Sequence, residues 1–217
     1  MKITPAPVMG LLHRAIYSTL ATQSVKLPGY PYATVTPNVL DAHHQPILLI
    51  SRLAEHTRNL LADRRISLSI TDPGISNIQE GARLTLIGDA ERFDADAAMK
   101  ARYLRYLPEA AQVLPLDFLF FRVIPKRLRY IAGIGQMGWL EAEEWTRLPA
   151  LSPDEEEALM DLAARVVPNG VTVLGVDRFG MDYRSAGGRQ RVTLEPDSDL
   201  KAQILAVAPT LSMDMLN

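Results

Sequence analysis

The strand-like segments of this sequence come in pairs and do not alternate one-to-one with helices. Six segments have the length and the β-branched, apolar composition of strands: residues 32–40, 46–51, 66–71, 81–92, 118–124 and 128–132. Helical spacing of apolar residues predicts three helices, over residues 5–22, 53–62 and 94–107. The pairing argues against a doubly wound parallel sheet and favours a mostly antiparallel sheet or barrel with helical excursions.

A change in composition at residues 141–152 divides the chain. This stretch is acidic at first and then contains prolines, which is typical of a boundary between domains. Beyond it the pattern predicts a helix, three strands and a last helix, over residues 153–167, 171–176, 183–186, 190–195 and 199–210. We therefore expect two domains, residues 1–148 and residues 149–217.

The composition excludes several classes of function. The chain has 217 residues, a formal net charge of −2 and no cysteine. Disulfides, thiolate metal sites, iron–sulfur clusters and a cysteine nucleophile are therefore excluded. The small net charge gives no overall field that would attract nucleic acid or an anionic membrane. The sequence has neither the features of a signal peptide nor a run of about 18 apolar residues, so we expect a cytoplasmic protein.

The stretch most suggestive of chemistry covers residues 50–59. A buried strand ends there in Ser51, and a helix starts within a few residues. Ser51, Thr57, Arg58 and the first amides of the helix would lie close together as donors suited to a phosphate. A serine before a helix is more often only a cap, and a lone arginine is more often a solvated surface residue. The residues alone leave both interpretations open.

Three further polar residues are candidates for the same ligand. His56 and Asn59 are three positions apart and share one face of the helix. Arg83 lies in a later strand and could project across the sheet towards the ligand, although an exposed strand arginine is the commoner situation.

Other motifs predict no reaction centre. The glycine-rich segment 133–139 has the letters of G-x-G-x-x-G, but no βαβ unit surrounds it, so we reject a dinucleotide site. The basic run of Arg122, Lys126, Arg127 and Arg129 is too small to predict a nucleic-acid surface. The histidines, at positions 13, 43, 44 and 56, lack metal-binding spacing, and we predict no metal site.

Several pieces of this sequence recur in the same order in a known family. They are Y-P-Y-A-T at 30–34, P-I-L-L-I-S at 46–51, L-A-E-H-T-R-N-L at 53–60, D-R-R-I-S-L at 63–68, A-R-L-T-L-I-G at 82–88, R-Y-L at 102–104, D-F at 117–118 and R-Y-I-A-G-I-G-Q-M-G-W at 129–139. Together they resemble the heme-utilisation (HugZ-like) branch of the pyridoxamine 5′-phosphate oxidase-related, FMN-binding split-barrel proteins. The resemblance covers about residues 8–140, and the tail looks like the small α/β domain that often follows.

The resemblance implies an α+β fold: an antiparallel, FMN-binding (PNPOx-like) split β-barrel followed by a small α/β C-terminal domain. It also implies a homodimer with its ligand at the subunit interface. The FMN phosphate would be held by Ser51, His56, Thr57, Arg58 and Asn59. The flavin ring would lie along the strand of Tyr32, Ala33, Thr34 and Val35, with a further contact from the strand of Arg83.

The resemblance makes an FMN-dependent oxidoreductase that acts on a small molecule the main functional expectation, in which the cofactor would carry the electrons. No residue stands out as a general acid or base, which suits chemistry on a cofactor and equally suits no chemistry at all. A heme-binding or heme-degrading protein is the first alternative. Heme-degrading relatives bind iron through a late histidine, and this sequence has none after His56. A non-catalytic flavin-binding module is the second alternative.

Overall fold

The computed structural model describes residues 3–75, 77–133 and 136–211. The chain divides into two compact units, Met1–Arg147 and Leu148–Asn217. None of the described helices is both long enough and apolar enough to cross a membrane.

The first unit is built on a large antiparallel sheet. Its described strands are β1 (Tyr17–Gln23), β2 (Pro31–Pro37), β3 (Val39–Leu40), β4 (Pro46–Ser51), β5 (Arg65–Thr71), β6 (Arg83–Phe93), β7 (Phe118–Gly133) and β8 (Gln136–Glu141). Their order is β2-β1-β5-β6-β7-β4-β3, and β8 pairs with β7. The predicted α+β class with an antiparallel sheet is confirmed.

Strand β7 is shared by the two halves of this sheet. Its first residues pair with β4, its last with β8, and β6 pairs along almost its whole length. The prediction of two strands divided at Pro125 is wrong, because the proline is accommodated at a shift in the β6–β7 register between Ile87 and Gly88. Glycine is required at position 88, since a Cβ atom there would lie 2.4 Å from the carbonyl oxygen of Ile124.

The described helices that accompany the sheet are α1 (Pro5–Arg14), α2 (Glu55–Ala62), α3 (Ala97–Tyr106), the 3₁₀ helix Pro108–Gln112 and α4 (Ala142–Thr146). The predicted helix over residues 5–22 is wrong in its second half, because β1 begins at Tyr17. Burial in β1 alternates with the strand period, with Ser18, Leu20 and Thr22 inside. Helix α3 begins at Ala97, three residues after the predicted start at residue 94, because Asp96 is the N-cap residue: its carboxylate accepts a hydrogen bond from the Met99 amide at 2.7 Å.

The second unit has the predicted order of elements. It contains α5 (Pro153–Ala164), β9 (Thr172–Asp177), β10 (Gly180–Ser185), β11 (Gly188–Thr193) and α6 (Leu200–Val207), and its sheet has the order β11-β10-β9. A capping box begins α5: the Glu155 amide donates to Ser152 Oγ at 3.3 Å, and the Ser152 amide donates to Glu155 Oε2 at 2.8 Å. The small α/β C-terminal part is therefore confirmed.

A buried ion triad lies within the second unit. Arg191 donates to Asp177 at 2.7 Å and to Asp182 at 2.8 Å, and its side chain is only 2% exposed. Buried charges of this kind persist only when they are paired.

Candidate functional site

A cavity of about 360 Å³ lies in the first unit, where the ends of β2 and β4 meet α3 and the 3₁₀ helix. Most of its lining is apolar: Val35, Pro37, Leu49, Ile50, Ala54, Tyr103, Leu107, Ala110, Val113 and Phe118. Its polar lining consists of Thr36, Ser51, His56 and Glu109. An apolar cleft of this size with a few polar groups is typical of a small-molecule site.

Ser51 is the last residue of strand β4 and lines this cavity. The strand is buried up to Ile50, because β3 and β7 pair with its two edges. The chain then turns at once: the Leu53 amide donates to Ser51 Oγ at 3.2 Å, and the Ala54 amide donates to the Ser51 carbonyl at 3.1 Å. Since Ser51 Oγ acts there as an acceptor, its hydroxyl proton stays available for a second partner.

Two fully buried residues of α2 fix this helix beside the cavity. Thr57 Oγ1 donates to the Ser51 carbonyl oxygen at 2.6 Å. Asn59 Nδ2 donates to Thr22 Oγ1 at 3.0 Å, and Asn59 Oδ1 accepts from the Val25 amide at 3.0 Å. These polar groups thus bond to other parts of the same chain, and they position α2. Direct contact of Thr57 and Asn59 with a cofactor stays a prediction.

His56 is half-buried and lines the cavity. Burial lowers the pKa of His56 from its ordinary value of 6.5. The imidazole is therefore neutral at neutral pH and keeps a nitrogen lone pair, which is the form that binds metal ions.

The opposite wall comes from α3 and the 3₁₀ helix. Tyr103 is almost fully buried, and its ring meets that of Phe120 edge-on, with the centroids 5.5 Å apart. Burial raises the pKa of Tyr103 well above its usual range, so this phenol stays protonated. Leu107, Glu109 and Val113 complete this wall. Only the R-Y-L piece of the family resemblance pointed to this part of the chain.

Further buried polar side chains accompany Thr36, which lines the cavity. Thr36, Ser18 and Asn38 are each at most 2% exposed. Thr36 Oγ1, Ser18 Oγ and both polar atoms of Asn38 have no hydrogen-bond partner in the part of the chain that the structure describes. Each such group destabilises the fold by about 1–3 kcal/mol while it lacks a partner. Ser18 lies directly opposite Thr36 across the β1–β2 pair.

The structure brings together three of the predicted contact residues: Val35, Ser51 and His56. Tyr32, Ala33 and Thr34 lie further along β2, which forms the edge of the sheet, outside the cavity lining.

Arg58 and Arg83 lie outside the cavity as well. Arg58 is exposed and stands about 200° around α2 from His56, because successive residues of a helix are about 100° apart. Arg83 starts β6 and donates to the Ile78 carbonyl oxygen at 2.6 Å. Among the described residues, the cavity lining thus contains neither lysine nor arginine. A role for either arginine in cofactor binding stays a prediction.

Comparison with known proteins identifies relatives of this chain. The family model for pyridoxamine 5′-phosphate oxidase matches residues 7–132, more than half of the chain. The chloroplastic heme oxygenase HOZ of Arabidopsis thaliana is 39% identical over 127 residues. That alignment covers 57% of this chain and 39% of the relative, so the chain spans well under half the length of this curated protein.

Solved structures extend the similarity to the whole chain. A heme binding protein from Mycobacterium smegmatis is 26% identical with a TM-score of 0.63, over 97% of this chain and 100% of that one. A protein of unknown function from Agrobacterium tumefaciens is 24% identical with a TM-score of 0.73, over 94% and 97%. HutZ, a heme storage protein from Vibrio cholerae, is 23% identical with a TM-score of 0.52, over 63% and 100%.

The last two likenesses concern the fold alone, and they agree with the predicted split barrel and C-terminal α/β part. The sequence resemblance to the pyridoxamine 5′-phosphate oxidase-related proteins is confirmed by the family model. With a family model that matches residues 7–132, the chain belongs to the pyridoxamine 5′-phosphate oxidase family.

Proposed function

We propose that this protein binds heme and that the cavity beside Ser51 and His56 receives it. The observation that carries the proposal is the chemistry of the lining: apolar walls, a neutral histidine and, among the described residues, no lysine or arginine. Such a lining suits the face of a porphyrin better than a phosphate group. The names of HOZ and of the mycobacterial protein support the same ligand.

The residues present fit the iron as well as the ring. His56 is the one histidine of the described chain that lines the cavity. His13 and His44 are buried elsewhere, with His13 Nε2 and His44 Nδ1 3.2 Å apart. His56 would therefore hold the iron, in place of the late histidine that this sequence lacks. When bound, heme supplies an iron centre for electron transfer or dioxygen chemistry.

The chain's own groups bind and orient the ligand. Leu107, Val113 and Phe118 exclude water from the face of the ring, and the Ser51 hydroxyl can donate to a polar edge of it. Thr57 and Asn59 act indirectly: their hydrogen bonds hold α2 in place, and α2 carries the His56 ring.

FMN is the second candidate ligand, as an oxidase cofactor or as the ligand of a non-catalytic module. The observation that favours it is the start of α2: Ala54 occupies the N-cap position, so no side chain caps the first amides of the helix. Uncapped amides next to the Ser51 hydroxyl are donors for a phosphate. Arg58 would add a charge to this site from the exposed side of α2.

We also propose that the protein is a homodimer with its ligand at the interface. The outer face of the sheet exposes large apolar side chains, with exposed fractions of 59% for Tyr17, 66% for Val35 and 46% for Ile87. Exposed apolar patches on a sheet are typical of interfaces. Sedimentation equilibrium across a range of concentrations tests this part: a monomer at all concentrations contradicts it.

Absorbance titration with hemin and, separately, with FMN tests the ligand. We expect a saturable Soret band with hemin, shifted or lost in His56→Ala and retained in His43→Ala, a matched variant of an exposed histidine. Saturable flavin binding with only weak hemin association would overturn the heme proposal and favour FMN. In that event Arg58→Ala should weaken FMN binding by about 1.5–3 kcal/mol, the worth of a hydrogen bond to a charged group.

A further inference from the structure

A second, smaller hollow of about 180 Å³ adjoins the cavity in the first unit. Leu49 and Phe118 line both of them, so the two spaces meet at these side chains. We refer to the smaller hollow as the side pocket. Its lining also includes two aromatic rings, those of Phe93 and Phe120.

The cavity and the side pocket lie on the same face of the sheet. In the β4–β7 pair, Ser51 is opposite Phe118 and Leu49 is opposite Phe120. Directly opposite residues, and residues two apart on one strand, project from the same face of an antiparallel sheet. Ser51 lines the cavity and Phe120 lines the side pocket. A ligand in the cavity whose edge reaches Phe118 therefore comes next to the side pocket.

The side pocket has basic side chains in its lining, which the described lining of the cavity lacks. Lys100 lies on α3, three positions before Tyr103 of the cavity wall, and Arg92 lies at the end of β6. Both cations are exposed. Asp94 is the acidic residue of this lining, so the side pocket has a net positive charge.

Lys100 and Arg92 keep their charges available for a ligand. Neither side chain forms an ion pair or a hydrogen bond with another residue that the structure describes. Neighbouring arginines are already engaged: Arg52 pairs with Asp117 at 3.0 Å, and Arg64 pairs with Glu91 at 3.2 Å. An ammonium and a guanidinium in one lining are suited to an acid group, since both donate charge-assisted hydrogen bonds to it.

Heme has the chemistry that matches these two hollows together. Its ring is apolar, and two propionate carboxylates lie at one edge. Among the described residues, the charged side chain of the cavity lining is the acidic Glu109. A carboxylate held against apolar walls beside Glu109 would be unfavourable, because it would have neither a cation nor water as a partner. The acidic edge of a heme should therefore point out of the cavity.

We propose that the propionate edge of a heme in the cavity extends past Phe118 and binds Lys100 and Arg92 in the side pocket. All of these groups belong to one chain. The inference rests on the proposed heme binding and adds the orientation of the ring, with the iron at His56 and the acidic edge at the end of β6 and the first turns of α3.

Two forms of the ligand and one double variant test this inference. Hemin dimethyl ester keeps the ring and the iron of hemin but lacks both carboxylate charges. We expect Arg92→Gln/Lys100→Gln to weaken hemin binding about tenfold or more, the effect of losing at least one charge-assisted hydrogen bond. The same variant should bind the dimethyl ester as wild type does. Absorbance titrations in the Soret region measure all four affinities.

Two further variants control for net charge and for its sign. Lys126→Gln/Arg165→Gln also removes two exposed cations, neither of which lines the cavity or the side pocket, and should keep the hemin affinity of wild type. Asp94→Asn removes the acidic group of the side pocket and should raise hemin affinity about two- to fivefold, the range for an exposed charge pair. Thermal melting of each variant checks that the fold is kept.

Equal hemin affinity of wild type and Arg92→Gln/Lys100→Gln would overturn the inference and leave heme binding itself intact. An equal loss of affinity for hemin and for its dimethyl ester would also overturn it, because the two residues would then act on the fold and not on the carboxylates. If wild-type protein takes up no hemin at all, the heme proposal itself fails, and this failure is distinguishable from the other two.

Discussion

Asn59 Nδ2 donates to Thr22 Oγ1 at 3.0 Å, and this buried contact joins α2 to β1. The same side chain accepts from the Val25 amide. The side-chain amide of Asn59 thus bonds both the buried Thr22 hydroxyl and the backbone amide of Val25, an exposed residue, and it holds the helix that carries His56.

Replacing Asn59 by alanine should lower the free energy of unfolding by about 1–3 kcal/mol. The substitution takes a partner from the buried Thr22 hydroxyl, at about 1–3 kcal/mol for a buried group, whereas water can replace the partner of the amide of Val25, an exposed residue. Chemical denaturation followed by circular dichroism measures this change. Arg58→Ala, on the exposed side of the same helix, should stay within about 0.5 kcal/mol of wild type. Equal effects of the two variants would contradict a structural role for Asn59.

Replacing Arg191 by alanine should destabilise the protein by about 3–5 kcal/mol, because Asp177 and Asp182 lose their buried guanidinium partner. Thermal unfolding and urea denaturation measure the loss. Arg165→Ala removes an exposed arginine from the end of α5 and is the matched control. A loss below 1 kcal/mol in the Arg191 variant would show that the triad contributes little to stability.

Two buried threonines should respond in opposite ways to loss of the hydroxyl. Thr36→Val removes an oxygen that has no partner in the described structure, so stability should stay the same or rise by up to about 1 kcal/mol. Thr57→Val breaks the 2.6 Å bond to the Ser51 carbonyl and should lower stability by about 1–2 kcal/mol. Denaturation curves of the two variants, measured in parallel, make the comparison. Destabilisation by Thr36→Val would show that its hydroxyl is hydrogen-bonded in solution.

The titration of His56 should reduce stability in weakly acidic solution. Its pKa is lowered in the folded state, so the unfolded chain binds more protons as the pH falls through 6.5 towards the folded value. The contribution of neutral His56 to the free energy of unfolding is therefore complete above pH 6.5 and decreases below it. The NMR chemical shift of the ring, followed against pH, gives the folded pKa directly.

A matched variant isolates this contribution. His56→Gln should show a smaller loss of unfolding free energy between pH 7 and pH 5 than wild type does. An NMR midpoint at or above 6.5 would contradict the burial of this ring.

The architecture was largely readable from sequence because each long strand alternates or is uniformly apolar, as β5 and β4 are. Strand β1 was missed because its apolar residues continue the helical spacing of α1, and only pairing with β2 and β5 decides its conformation. Strand β7 was divided in two at Pro125, because the register shift that tolerates a proline lies partly in β6, more than thirty residues earlier.

The residues of the candidate site were likewise predicted only in part. Ser51 and His56 were predicted because a strand end followed by a helix start is a local signal, and Val35 was predicted from the family resemblance. Leu107 and Val113 were missed, because they reach the cavity only through the packing of α3 and the 3₁₀ helix, which leaves no periodic trace in the sequence.

The position of β4 has a consequence for how the chain folds as it is synthesised. Apart from the two-residue β3, the strand that pairs with β4 is the first part of β7. Within this pairing Ser51 lies opposite Phe118, which is 67 positions later in the chain. Pairings over such separations slow folding. Until Phe118 has left the ribosome, the segment P-I-L-L-I has no long strand to cover it, and uncovered apolar β segments aggregate. The polar turn of residues 41–45 precedes this segment and the charged Arg52 follows it closely. Flanking polar and charged residues of this kind oppose aggregation of an apolar strand.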